Sequence, residues 1–287
     1  MILYYNVKEE NLTINTILKN KLKISSRLFT KLVHNKLIYL NGNICDTRNT
    51  AHINDVISID FNYSEDNSNI IPTKMKLNII YEDDCFIILN KPKGIAVHPS
   101  FRYFDNTLSN GLKFYFDEIK LNKKIRPVNR LDFNTSGLII FAKNEYIQEN
   151  LIKQMADNTF KKEYLAIVCG KLDTKNGTID KPIARKSTSI IERLVSPDGK
   201  KSITHFEVLK EYDSYSLVKC VLETGRTHQI RVHFASIGHP LLGDDLYGTE
   251  SDLIDGQALA CSGLSFYHPI NKNYLSFKLD TCPFDFL

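Results

Sequence analysis

The residues of this chain that could do chemistry concentrate in four short stretches. They are Asn90 to Pro99 (NKPKGIAVHP), Arg126 to Gly137 (RPVNRLDFNTSG), Lys161 to Val168 (KKEYLAIV) and Glu223 to His233 (ETGRTHQIRVH). In the second, Asp132 sits in a polar turn, with Arg130 before it and Thr135, Ser136 and Gly137 after it. A single ionised carboxylate can act as a nucleophile or stabilise positive charge on a sugar. An Asp in such a turn is more often structural, so residue type alone leaves both readings open. Ser136 could serve a hydrolase, but Thr-Ser-Gly lacks the Gly-x-Ser-x-Gly elbow and the sequence assigns it no base. His228 and His233 are five apart, so they would not share a helix face as an i, i+4 metal pair does. They are expected to make structural hydrogen bonds, as are His98 and His268, each of which precedes a proline. The six cysteines include no Cys-x-x-Cys and read as reduced, packed thiols. No metal site is expected.

Taken together and in order, these stretches resemble the motifs of the RluA-type pseudouridine synthases. Arg130 to Leu138 is similar to that family's H-R-L-D-x-x-T-S-G-L segment, and Gly225 to His233 to its G-R-T-H-Q-I-R-x-H signature. Lys91 to Pro99 resembles K-P-x-G-x-x-x-H-P, Lys162 to Tyr164 the K-x-Y strand, and Leu264 to Pro269 the closing L-x-F-x-H-P. The matches span about residue 80 to 269, nearly the whole of the larger domain.

The resemblance implies an isomerase that turns uridine into pseudouridine in structured RNA. Breaking the bond from ribose C1′ to uracil N1 builds positive charge on the sugar, as at a glycosidase. Uracil leaves as a resonance-stabilised anion, so one carboxylate, Asp132, is enough. Arg226 matches the arginine that pairs with this carboxylate, keeping it charged and fixing its rotamer. Tyr164 matches the tyrosine that stacks on the target uracil. Arg130 matches the arginine that fills the gap left by the flipped base. The sequence departs from the family at Asn129, where a histidine is usual, and at Ala260, where Leu-His-Ala is common. Asn129 hydrogen-bonds but cannot titrate near neutrality. Both departures bear on substrate choice more than on the reaction.

The elements that must position these residues are legible in outline. Strand-like apolar runs fall at Leu77–Tyr81, Cys85–Leu89, Gly137–Ala142, Tyr164–Val168, Ser216–Leu222 and Tyr274–Leu279, and helices near Thr107–Phe114, Glu145–Met155 and Thr227–Ile237. Strands outnumber helices and do not alternate with them. That predicts an α+β fold: a large catalytic domain (74–287) on a mostly antiparallel mixed sheet flanked by helices. Residues 62–73, polar and containing Pro72, read as a linker. Residues 1–61 read as a small α/β module. Ser25 and Ser26 can cap a helix reaching about Asn35, and Asn41-Gly42 marks a hairpin. Six Lys or Arg residues and no acid lie between Lys19 and Lys36. The module resembles the S-four-type RNA-binding domain through Ser26, Arg27, Lys31, Leu32, Ile38, Asn41-Gly42 and Asp55. That implies RNA phosphates on the face carrying Arg27 and Lys31, contacts that position an RNA without reading its sequence.

With 287 residues, 43% of them hydrophobic, the chain can bury a large core. A net charge of +4 leans mildly toward anionic partners. No leader or membrane-span pattern is seen, so a cytoplasmic monomer is expected. The isomerisation is redox-neutral and calls for no cofactor. The expected partner is structured RNA, with ribosomal RNA favoured over tRNA because of the added RNA-binding module. The competing reading is a non-catalytic RNA-binding or ribosome-assembly protein that keeps the fold.

Overall fold

The computed structural model describes residues 1–284. Its largest element is a ten-stranded sheet. The main path runs Asn176–Asp180, Ile203–Glu211, Tyr215–Leu222, Lys161–Cys169, Leu259–Tyr267, Ser136–Ala142, Phe86–Lys91, Ile79–Glu82. Tyr274–Lys278 pairs with Leu259–Tyr267, and Arg126–Pro127 with Ser136–Ala142. Every pairing is antiparallel except Ser136–Ala142 against Leu259–Tyr267, so the sheet is mixed and mostly antiparallel, as the sequence predicts.

The parallel pairing depends on a glycine. Gly137 has φ +104° and faces Cys261, whose carbonyl oxygen would lie 2.2 Å from a Cβ built there. Only glycine lets the two backbones approach this closely. The pairing carries the chain out of the Asp132 turn and into the centre of the sheet.

Helices Leu108–Glu118 and Glu145–Ala156 start where local chemistry tells them to. The side chains of Thr107 and Asn144 accept the backbone N–H groups of Asn110 and Ile147. The third helix, Gln229–Ala235, is shorter than its periodicity predicts. His228 adopts a left-handed conformation (φ 57°, ψ 21°) and holds the start of that helix back. Three long strands of this sheet escaped the sequence reading: Asn176–Asp180, Ile203–Glu211 and Leu259–Tyr267. Ile203–Glu211 is half polar, and Leu259–Tyr267 is rich in small residues, so neither presents a long apolar run. A small hairpin, Ile183–Arg185 with Arg193–Val195, was also unforeseen.

The N-terminal residues form a second, four-stranded sheet in the order Ile2–Asn6, Val56–Asp60, Ile38–Leu40, Asn43–Ile44. Asn41 and Gly42 both have positive φ, at 50° and 81°, as a type I′ hairpin turn requires. Helix Ser26–His34 is capped by the Ser25 hydroxyl, which accepts from the Leu28 N–H. That hydroxyl also donates to Glu149 in the larger domain, at 2.6 Å. Residues 62–73 contain no helix or strand, yet they are not a loose tether. Ile70 is buried in the common core, and the Glu65 carboxylate is bound on both oxygens by Arg126, at 2.6 and 2.7 Å.

Candidate active site

A cleft of about 540 Å³ opens on the turn that follows Val128. Asp132, Arg130, Lys162, Tyr164, Arg226 and His228 all line it. Lys162 and Tyr164 are two apart on one strand and so share its cleft-facing side.

The Asp132 turn is pinned from two directions. Upstream, the buried Asn129 side chain accepts the Ile140 N–H at 2.9 Å and donates to the Leu138 carbonyl at 3.3 Å. Asn129 thus bonds the strand backbone through both ends of its amide and needs no titratable group. Downstream, the Lys91 ammonium donates to the carbonyls of Pro92 and Ile95, both at 2.9 Å, and to that of Phe133. Burial pulls the Lys91 pKa down to about 7, while the negative charge of Asp132 opposes the shift. The Thr135 N–H closes the turn onto the Asp132 carbonyl at 3.1 Å.

Tyr164 is buried with its side chain against the cleft. Burial pushes its phenol well above the usual range, and the nearby Cys261 and Asp132 push the same way, so it remains a neutral aromatic surface. Arg130 is exposed at the rim and donates to the Thr227 hydroxyl at 3.2 Å.

The expected Arg226–Asp132 pair does not form among the described residues. The Arg226 guanidinium turns outward and its Nε donates to the Lys201 carbonyl at 3.1 Å. Its backbone N–H donates to the Gln229 side chain. The second arginine of the same motif, Arg231, takes the buried position. It binds Asp244 through two bonds of 2.7 Å. Burial works against its charge, but the bond to Asp244, with the charges of Asp244 and Asp132, outweighs burial and raises its pKa. Asp132 therefore feels a fixed cation, supplied by Arg231 from inside the helix.

His228, expected to make a structural hydrogen bond, does so and also lines the cleft. Its Nε2 lies 3.9 Å from Asp132 Oδ1, and its Nδ1 lies 2.8 Å from the Tyr247 hydroxyl. The missing signal for the cleft position was the break in helical geometry at residue 228, which spacing alone cannot show. His233 is buried and bonds Thr204 and the Lys181 carbonyl, in keeping with the structural role expected of it.

The two residues assigned to RNA on the N-terminal helix behave differently. Arg27 is exposed and has no hydrogen-bond or ion-pair partner among the described residues. Lys31 is not free for phosphate. Its ammonium binds Glu65, at 3.0 Å, and Glu145, and lies 4.3 Å from the centre of the Tyr63 ring. One cluster of potential metal donors, Asp83, Cys85 and His268, lies outside the cleft, all within 4.8 Å of one another. These groups are already bonded. His268 Nε2 meets Asp83 at 3.1 Å, and Asp83 accepts the Cys85 and Phe86 N–H groups, which locks the turn before strand Phe86–Lys91.

Comparisons with known proteins agree on the family. A model of the RNA pseudouridylate synthase family matches residues 85–236. An uncharacterized RNA pseudouridine synthase of Bacillus subtilis, YhcT, is 40% identical over 94% of this chain and 90% of its own length. Ribosomal large subunit pseudouridine synthase D of Vibrio cholerae is 37% identical, covering 88% of this chain and 82% of its own. The solved structure of human RNA pseudouridylate synthase domain containing 1 aligns with a TM-score of 0.60 at 27% identity, over 72% of this chain and 84% of that one. No described helix is long and apolar enough to cross a membrane. The chain belongs to the RluA-type RNA pseudouridine synthases, isomerases that act on RNA.

Proposed function

We propose that Asp132 is the single catalytic carboxylate and that the preferred substrate is large-subunit ribosomal RNA. The observation that carries the first part is the shared cleft: Asp132, Tyr164 and Arg130 face one volume large enough for a nucleotide. A uridine flipped out of its helix enters it, the Tyr164 ring lies on the uracil, and Arg130 at the rim fills the vacated stack. Ionised Asp132 then acts on the ribose, either by bonding to C1′ or by taking the C2′ proton. The C1′–N1 bond breaks and uracil leaves as an anion. After the base turns, C5 bonds to C1′ as Asp132 either leaves C1′ or returns the proton to C2′, and the C5 proton is replaced by a proton at N1. No external donor enters the balance.

Ribosomal RNA is favoured because relatives at 37–38% identity are named ribosomal large subunit pseudouridine synthase D. The N-terminal module would add phosphate contacts through Arg27 and its basic neighbours. The test is tritium release from transcripts labelled at uracil C5, using large-subunit rRNA and bulk tRNA. Wild type should release tritium from rRNA, and Asp132→Asn should bind the same RNA and release none. Tight binding without release by wild type would instead point to a binding protein that retains the fold.

A further inference from the structure

We infer that His228 is a positioning residue for Asp132, held in one tautomer by Tyr247. The inference rests on the Asp132 assignment above and adds a partner to it.

The hydrogen bonds give the imidazole proton a preferred place. The Arg193 backbone N–H donates to the Tyr247 hydroxyl oxygen at 2.8 Å. That hydroxyl has one hydrogen, and its other partner is His228 Nδ1, at 2.8 Å. Nδ1 is the acceptor this hydrogen has among the described residues, so the phenol is assigned as donor to Nδ1 and the imidazole hydrogen to Nε2. Nε2 is the atom that faces Asp132 Oδ1, 3.9 Å away. This is longer than a hydrogen bond, so the contact must shorten when substrate is bound. Catalytic hydrogen bonds are often long in free enzymes and tighten around the substrate.

Burial pulls the His228 pKa down, and although Asp132 and Asp244 oppose this, Arg231 and Arg193 reinforce it. The ring is thus a neutral donor. It can hold one carboxylate oxygen without cancelling the charge, leaving the other oxygen for the ribose. The backbone supports the same reading. His228 is a non-glycine residue in left-handed geometry, a conformation that is costly and that clusters at functional sites. Here it swings the ring out of the helix and into the cleft.

The test compares His228→Leu, His228→Gln and Tyr247→Phe with wild type, and Asp132→Asn in parallel. Gln can place an N–H near the position of imidazole Nε2, and Leu cannot. His228→Leu should lower kcat about 10²-fold, with KM for the RNA and Tm nearly unchanged. His228→Gln should recover most of that loss. Tyr247→Phe frees the tautomer, so its kcat should fall about tenfold. Equal activity of the Leu and Gln variants, or a loss confined to KM or Tm, would overturn the inference. If Asp132→Asn is inactive while His228→Leu matches wild type, only the role of His228 fails. An active Asp132→Asn protein would remove the group being positioned and overturn both readings.

Discussion

The Lys91 ammonium lies 3.0 Å from the carbonyl oxygen of Phe133, the residue that follows Asp132. One buried side chain thus ties the turn after strand Phe86–Lys91 to the turn that carries the carboxylate. Lys91→Met would leave three carbonyls short of a donor in a closed space. It should lower unfolding free energy by on the order of 3 kcal/mol, because unsatisfied buried polar groups are costly. It should also lower kcat more than it raises KM. Urea denaturation beside steady-state kinetics would check both, and an unchanged midpoint would contradict the role.

Arg226 and Arg231 should separate cleanly. Arg226→Ala removes a bond to one exposed carbonyl, so stability should change by less than about 1 kcal/mol. Arg231→Gln strands the buried Asp244 carboxylate and should cost about 3–5 kcal/mol. Thermal melts of the two variants decide the matter. If Arg226→Ala proves the more damaging to stability, the placement of the two guanidinium groups is wrong.

Glu65 gives the fold an acid-sensitive clasp. Burial works against its charge, but Arg126 and Lys31 outweigh it and hold the carboxyl at about 2, against 4.5 unperturbed. A depressed folded pKa stabilises the native state above the unfolded value. That contribution fades as pH falls from about 4.5 toward about 2. Glu65→Gln should therefore be less stable than wild type at neutral pH, and the gap should narrow in acid. Chemical denaturation at pH 7 and pH 3.5 measures it, and a constant gap would exclude the linkage.

Gly137→Ala should be among the most damaging single-methyl additions in the chain. The new Cβ would collide with the Cys261 backbone, which cannot yield without breaking the parallel strand pair. A loss of about 3 kcal/mol or more is expected, together with reduced activity because Asp132 lies five residues upstream. A melt within a degree or two of wild type would show that the strands can part there.

The α+β class, the turn around Asp132, the strand that carries Tyr164 and the Ser25-capped helix could be read in the sequence because each is written in local residues. What was not legible depends on distant partners or on one backbone torsion. Arg226 and Arg231 occupy the same motif, and their partners, the Lys201 carbonyl and Asp244, lie far from it in sequence or in a separate loop. Lys31 looks like a surface cation until Glu65, 34 residues away, and Glu145, 114 residues away, fold against it. Asn129 looked like a loss, yet its amide bonds both Leu138 and Ile140.

The way the N-terminal module is fastened changes how it can assist. A domain on a floppy tether raises the local concentration of its partner by an amount that tether length sets. Here Lys31 is clasped by two carboxylates, Phe61 stacks on Tyr146 at 5.7 Å, and Ile70 is sunk in the core. The two parts form a caliper with a fixed jaw. Arg27 therefore keeps a set distance from the cleft and cannot swing toward or away from it without breaking these contacts.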